Sequence, residues 1–203
     1  KFIWLIAVAS VGLLCLAPLF LDEYFLSLAI QVSYLGIAAL GLNILVGFTG
    51  QISLGHGAFF GFGAFASAWI NTQFGIPVFF AIPLAGFLTM AVGMMFGLPA
   101  ARIKGLYLAI ATLAAQFIIE DFFARAEWFS GGSAGAMTDS VNIFGYLFDT
   151  DHSFYYIAMF ALVTMYLWGS NLMRTRDGRA FVAVRDHYLS AEIMGINLTK
   201  YRL

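Results

Sequence analysis

Charge is scarce in this chain. Of its 203 residues only 10% are Asp, Glu, Lys or Arg, whereas 62% are hydrophobic, and the mean hydropathy is +0.88. A soluble domain keeps about a quarter of its residues charged. The chain therefore lacks the polar surface that a water-soluble enzyme or binding module needs, and it reads as an integral membrane protein. Cysteine is nearly absent. Cys15 stands alone in an apolar run, which excludes an intrachain disulfide and a cysteine-rich metal site. No GxxxxGK[ST] loop occurs, so ATP is not bound by that route. The stretch "GHGAFFG" has neither the spacing nor the preceding strand of a dinucleotide-binding turn. His56, His152 and His187 lie far apart and fall on both sides of the membrane, so no metal-ligand cluster is expected. No nucleophile–base pattern stands out, and catalysis is not expected. The net charge of −1 is segregated rather than pooled, and nothing points to nucleic acid.

What is abundant is apolar length. A helix needs about 20 apolar residues to cross the hydrocarbon core. Spans are expected at roughly 2–21, 25–47, 57–72, 77–100, 105–122 and 154–173. The expected fold is thus an all-α polytopic bundle of about six transmembrane helices. Lys1, Arg102, Lys104, Arg174, Arg176, Arg179, Arg185, Lys200 and Arg202 then fall on one side, which the positive-inside rule makes cytoplasmic, with the N-terminus inside. Arg125 is the basic residue left outside. Asp22, Glu23, Glu120, Asp121, Glu127, Asp139, Asp149 and Asp151 fall outside with it, in agreement. Residues 123–153 form an expected 31-residue outer loop, a length that is usually functional or disordered. The chain opens on Lys1 and closes on a polar stretch, so both ends are expected to be trimmed, with further spans beyond the C-terminus.

Between the second and third spans the pattern breaks. "GFTGQISLGHG" (residues 47–57) loads Gly47, Gly50, Gly55 and Gly57 among Thr49, Gln51, Ser53 and His56, with Asn43 just before. Glycine serves backbone that leaves the helix or meets a neighbour closely. Non-helical backbone at membrane depth persists only where protein or a water-filled cavity satisfies it. The segment reads as a re-entrant or unwound turn whose polar groups bond freed backbone or face a pathway. Gly57, Gly61 and Gly63 offer a small-residue stripe for helix contact. The plainer alternative makes these glycines packing and turn residues only, with His56 capping a turn.

After the last span, Phe181, Val182, Val184, Leu189, Ile193 and Met194 alternate with charges at near-helical spacing, and Gly195 is a helix stop. This is a short amphipathic helix or a pair of them. It either lies on the membrane surface or docks a soluble partner. "NLT" at Asn197 fits a glycosylation pattern but lies on the cytoplasmic side of this topology.

Four blocks occur in order: "GLNILVGFTGQISLGHGAFFGFGAF", "ARIKGLYLAIATLA", "GGSAG" and "GRAFVAVRDHYLSAEIMGIN". Together they make nearly the whole chain resemble the membrane permease subunits of branched-chain amino acid ABC transporters. The resemblance implies one permease domain over 1–203, in the bacterial cytoplasmic (inner) membrane. It implies a second, related permease subunit, two cytoplasmic ATPase subunits that use the ATP, and a periplasmic binding protein; no cofactor is bound by the chain itself. Asn43, Thr49, Gly50, Gln51, Ser53, Gly55, His56 and Gly57 become pathway or gate candidates. Arg179, Arg185, Asp186, Ala191, Glu192 and Gly195 become candidates for coupling to the ATPases. "LSAEIMG" keeps Ala191 and Gly195 of the E-A-A-x-x-x-G pattern of such coupling loops but has Leu189 and Ser190 at its first two positions. Leucine, isoleucine and valine are the leading substrates. Urea or short amides on the same scaffold, a stand-alone channel for a small polar solute, and a membrane anchor without a pathway are the alternatives.

Overall fold

The structure, a computed structural model, describes residues 18, 20–100, 103, 105–132, 135–143, 146–148 and 150–202. Helix α1 (Glu23–Leu42) starts behind Asp22, whose extended backbone ends the preceding coil, with Glu23 at the helix's positive end. It runs without interruption into a π-helical segment, Asn43–Phe48. After residues 49–55, α2 (His56–Phe74) begins, and it stops at Gly75, whose φ of +62° is left-handed. Next come α3 (Val78–Ala100), α4 (Leu106–Arg125) and a single turn, α5 (Glu127–Ser130). Strands β1 (Val141–Ile143) and β2 (Tyr146–Phe148) pair antiparallel, Val141 opposite Phe148. The chain closes with α6 (Asp151–Arg174), α7 (Arg176–Ile193) and α8 (Leu198–Arg202).

The fold is an all-α membrane bundle with one small hairpin attached. Glu23–Phe48, Val78–Pro99, Leu106–Arg125 and Asp151–Arg174 are the four described helices long and apolar enough to cross a bilayer. The 19 residues of α2 fall outside that set, and His56, Asn71, Thr72 and Gln73 dilute its apolar character. The span expected at 2–21 falls on residues 1–17 and 19, outside the described ones. The expected 123–153 loop is corrected: helix persists to Arg125, α5 and the hairpin occupy part of the stretch after it, and α6 begins at Asp151. Asp121 and Arg125, one turn apart and paired at 2.7 Å, stand on that added helical turn.

Two packing groups form. Ala58, Phe62, Ala66 and Ile70 recur every four residues on α2, and their buried stripe meets Ala81 and Ala85 of α3 and Ile119 of α4. Apolar lipid gives helices no hydrophobic reason to associate, so close approach over small side chains does the work. The second group is α1 on α6, with Leu26, Ser33 and Tyr155 almost wholly buried and Gly36 against Leu162. Ser33 remains satisfied inside its own helix, its hydroxyl donating to the Ala29 carbonyl at 2.8 Å.

Candidate functional site

The helix end at Phe48 is wider than an α-helix. The Thr49 amide donates to the Ile44 carbonyl, and the Gln51 amide reaches the Leu45 carbonyl, each at 3.2 Å. The buried Thr49 hydroxyl also donates to Leu45. Gly50 turns the chain with φ +69°. This resembles the glycine-terminated helix end, one residue wider because of the π register. Thr49 and Gly50 therefore complete a helix terminus.

Past the turn the chain re-enters the bundle. The Leu54 amide donates to the Thr112 hydroxyl at 3.0 Å, six residues from the start of α4. At 1.5 Å per residue that is about 9 Å in from the helix end. Gly55 is buried here and has no room for a side chain, since a Cβ would overlap the Thr112 carbonyl oxygen. The passage of 51–55 beside α4 brings Gln51, Ser53 and His56 to one cavity of about 750 Å³ between α2, α3 and α4. Thr89 and Thr112 add hydroxyls; Phe59, Met90, Met94, Phe96, Leu108 and Ile118 give apolar walls. His56 is the cavity's one ionisable residue among those described. It is half-buried, and its ring also lies against α1 at Gly41. Such a cavity hydrogen-bonds a polar group at one side and takes an apolar group against adaptable methionines.

Two expected site residues sit elsewhere. Asn43 lines a separate hollow of about 330 Å³ between α1 and α6, with Tyr166, Ser170 and Arg174. Gly57 has no atom within 4 Å of where a Cβ would stand, so it supports neither pathway nor helix contact. In the expected glycine stripe, Gly61 touches Phe123 and Gly63 touches Thr89 in ordinary contact, while alanines make the tight interface. Among the described residues no three His, Cys, Asp or Glu side chains gather as a metal set.

Residues 24–203 match the sequence profile of the family described as branched-chain amino acid transport system, permease component. The chain belongs to this family. It is 30% identical over 191 residues to the high-affinity branched-chain amino acid transport system permease protein LivM of Salmonella typhimurium, covering 82% of this chain and 45% of that protein. The protein of the same name from Escherichia coli is 29% identical over the same shares. A probable LivM permease of Methanocaldococcus jannaschii is 28% identical over 96% of this chain and 63% of its own length. The chain thus spans under half the length of the first two relatives. No solved structure matches it.

In this permease-family chain the tail folds back onto the broken segment. Thr175 caps α7, its hydroxyl accepting from the Gly178 amide at 3.3 Å. Gly178 is buried at the α6–α7 corner, where a Cβ would lie 2.5 Å from the Met173 carbonyl oxygen. Arg179 donates back to the Arg174 carbonyl at 3.0 Å. Arg185 pairs with Asp186 at 2.8 Å and donates to the Gly47 carbonyl at 2.7 Å. The helix is kinked at His187. Beyond the kink Ala191 is buried and Glu192 exposed, and Gly195, φ +86°, ends the helix as its left-handed stop. The apolar tail residues divide there: Val184 is buried, whereas Ile193 and Met194 are 87% and 85% exposed. Asn197 is occupied as the cap of α8, accepting from the Lys200 amide at 3.2 Å. Tyr201 donates to Asp177 at 2.8 Å, and that carboxylate holds the phenol above its ordinary pKa.

The residues missed from sequence are Thr112, Thr89 and Gly178. A hydroxyl in an apolar span ("IATLA") is a usable signal for Thr112, because it must find a partner at membrane depth. Thr89 instead satisfies itself, donating to Ala85 at 2.8 Å.

Proposed function

We propose that the chain is part of the membrane-spanning permease of a binding-protein-dependent ABC importer for branched-chain amino acids. The observation that carries this reading is the meeting of Gln51, Ser53 and His56 with Thr112 at a cavity whose remaining walls are apolar. Its volume of about 750 Å³ lies within the roughly 300–1,000 Å³ of small-molecule sites. Uncharged polar groups beside methionines suit a solute with a polar head and a branched apolar side chain. The names of the relatives point to the same substrates.

The basic tail and the Arg102–Lys104 connection support a cytoplasmic position for that end, with the N-terminus inside and the protein in the bacterial inner membrane. A second permease subunit would complete the pathway. Two ATPase subunits would dock on the tail, and a periplasmic binding protein would deliver the solute to the opposite face. ATP hydrolysis belongs to those partners. Loaded binding protein and ATP switch the pathway only through their different affinities for its outward-open and inward-open states.

Uptake of labelled leucine into proteoliposomes tests this, using the full-length permease with its neighbouring permease, ATPase and binding-protein subunits. Accumulation that requires ATP, is competed by valine and not by urea, and falls at least tenfold in a Gln51→Ala, Ser53→Ala, His56→Ala variant of normal folding is the expected result. Flux without ATP would overturn the pump in favour of a channel. ATPase activity stimulated by a urea- or amide-loaded binding protein, without leucine flux, would move the substrate. Intact uptake in the triple variant would remove the cavity from the pathway.

A further inference from the structure

The broken segment and the tail are 138 residues apart in sequence, yet one side chain joins them. An α-helix leaves its last carbonyls without partners. At the π-helical end of α1 the Ile44 and Leu45 carbonyls are taken by the amides of Thr49 and Gln51, whereas the Gly47 carbonyl is taken by the Arg185 guanidinium at 2.7 Å. That places a cation at the negative end of the α1 dipole, where it is favourable. The contact is steric as well. A Cβ at Gly50 would stand 2.6 Å from Arg185 Cγ and 3.6 Å from its Cα, so the arginine stem fills the space that the glycine leaves. Gly50 is fixed as glycine twice over, by its φ of +69° and by this stem. On its other side Arg185 is oriented by Asp186 at 2.8 Å. The kink at His187 comes directly after, and the exposed Leu189, Ile193 and Met194 lie beyond it. A partner can therefore engage the segment past the kink without covering Arg185.

We infer that Arg185 is a positioning residue that latches α7 onto the turn at Gly47–Gly50, so that displacement of α7 changes the conformation of the segment leading to Gln51, Ser53 and His56. The inference rests on the permease reading for its functional sense, but the latch is measurable by itself. Arg185→Met keeps the aliphatic stem and removes the donor. Gly50→Ala strikes the same contact from the other side. Arg176→Met, at the far end of α7, makes the same charge change away from the turn.

The experiment is amide hydrogen exchange on the full-length permease, paired with solute transported per ATP hydrolysed in the reconstituted transporter. Arg185→Met should speed exchange at the Thr49 and Gln51 amides roughly tenfold, the scale of one hydrogen bond to a charged group. It should also lower transport per ATP, with ATP hydrolysis retained. The Arg185→Met, Gly50→Ala double variant should be no worse than the more affected single, as expected for two halves of one contact. Arg176→Met should change neither readout. Unchanged exchange in Arg185→Met overturns the latch. Faster exchange with unchanged transport per ATP reduces Arg185 to a structural clip and overturns the coupling role. A wild-type protein that transports no amino acid defeats the permease reading instead, and the exchange result still decides the latch.

Discussion

The two ends of α2 are built differently. At the Phe74 end, Asn71 is only 3% exposed; its amide donates to the Ile76 carbonyl at 3.0 Å and to Asp139 at 3.5 Å, and it accepts from the Asp139 amide at 3.0 Å. Around it Phe62, Trp69, Trp128 and Phe129 stack or meet edge to face, with ring centres 5.3 to 6.1 Å apart. At the His56 end no side chain caps the helix. A cavity replaces the rings, and the chain is held by Leu54 on Thr112, by Gly55 against α4 and by Arg185 on Gly47. One end is fastened by a buried network that must break together. The other is held by a few separable contacts, some of them exposed. A pathway that opens and closes needs the second kind of construction, and the first kind gives it something to move against.

This contrast can be broken at several points. The largest effect is expected from Gly55→Val, which forces a branched side chain into the Thr112 carbonyl. Overpacking of this kind costs about 3 kcal/mol, and both the melting midpoint of the purified protein and solute uptake should fall. A normal midpoint would mean that the 51–55 passage is not packed as described. Next comes Asn71→Ala, which leaves the Asp139 amide and the Ile76 carbonyl without this partner. The expected loss is roughly 2 kcal/mol, with new protease cleavage between α5 and α6 but transport per ATP unchanged; altered coupling would erase the distinction between the two ends. Gly57→Ala should do the reverse of Gly55→Val. With open space around it and a helical position, alanine should stabilise by up to about 1 kcal/mol. A large loss there would reveal a neighbour at this surface in the assembled transporter.

The smallest effect concerns α8. Hydrogen bonding to Asp177 raises the pKa of Tyr201, so the folded state holds that proton more tightly than the unfolded chain does. The contribution is complete below the ordinary tyrosine pKa of about 10 and is lost as pH rises through the raised value. Docking of α8, followed by fluorescence from a label on Lys200, should be flat across neutral pH and release only in alkali. Tyr201→Phe should release it at every pH.

Much of the bundle was legible from apolar length. The spans expected at 25–47, 77–100, 105–122 and 154–173 meet helices whose ends differ by a few residues, because a bilayer imposes a length that composition reports directly. The break was legible too, since Gly50 and Gly55 are glycines that the backbone requires. Its three-dimensional partners were not. Asn43 and His56 look alike in a string of polar residues, yet α1 turns one toward α6 and the other toward the cavity. Gly57 looks like Gly55, and only the passage of α4 beside one of them separates their roles. Arg185 could be suspected as a tail cation, but nothing local indicates that its bond runs to Gly47.

The π-helical segment has a consequence for sequence length. Residues 43–48 are an α-helix carrying one residue beyond its register. Removing a single codon between Ile44 and Phe48 would let the ordinary ladder close, and every residue after it would swing by about 100° around the helix axis. Gly50 would leave Arg185, and Gly55 would leave Thr112. The segment can therefore exchange letters over evolutionary time far more readily than it can gain or lose one.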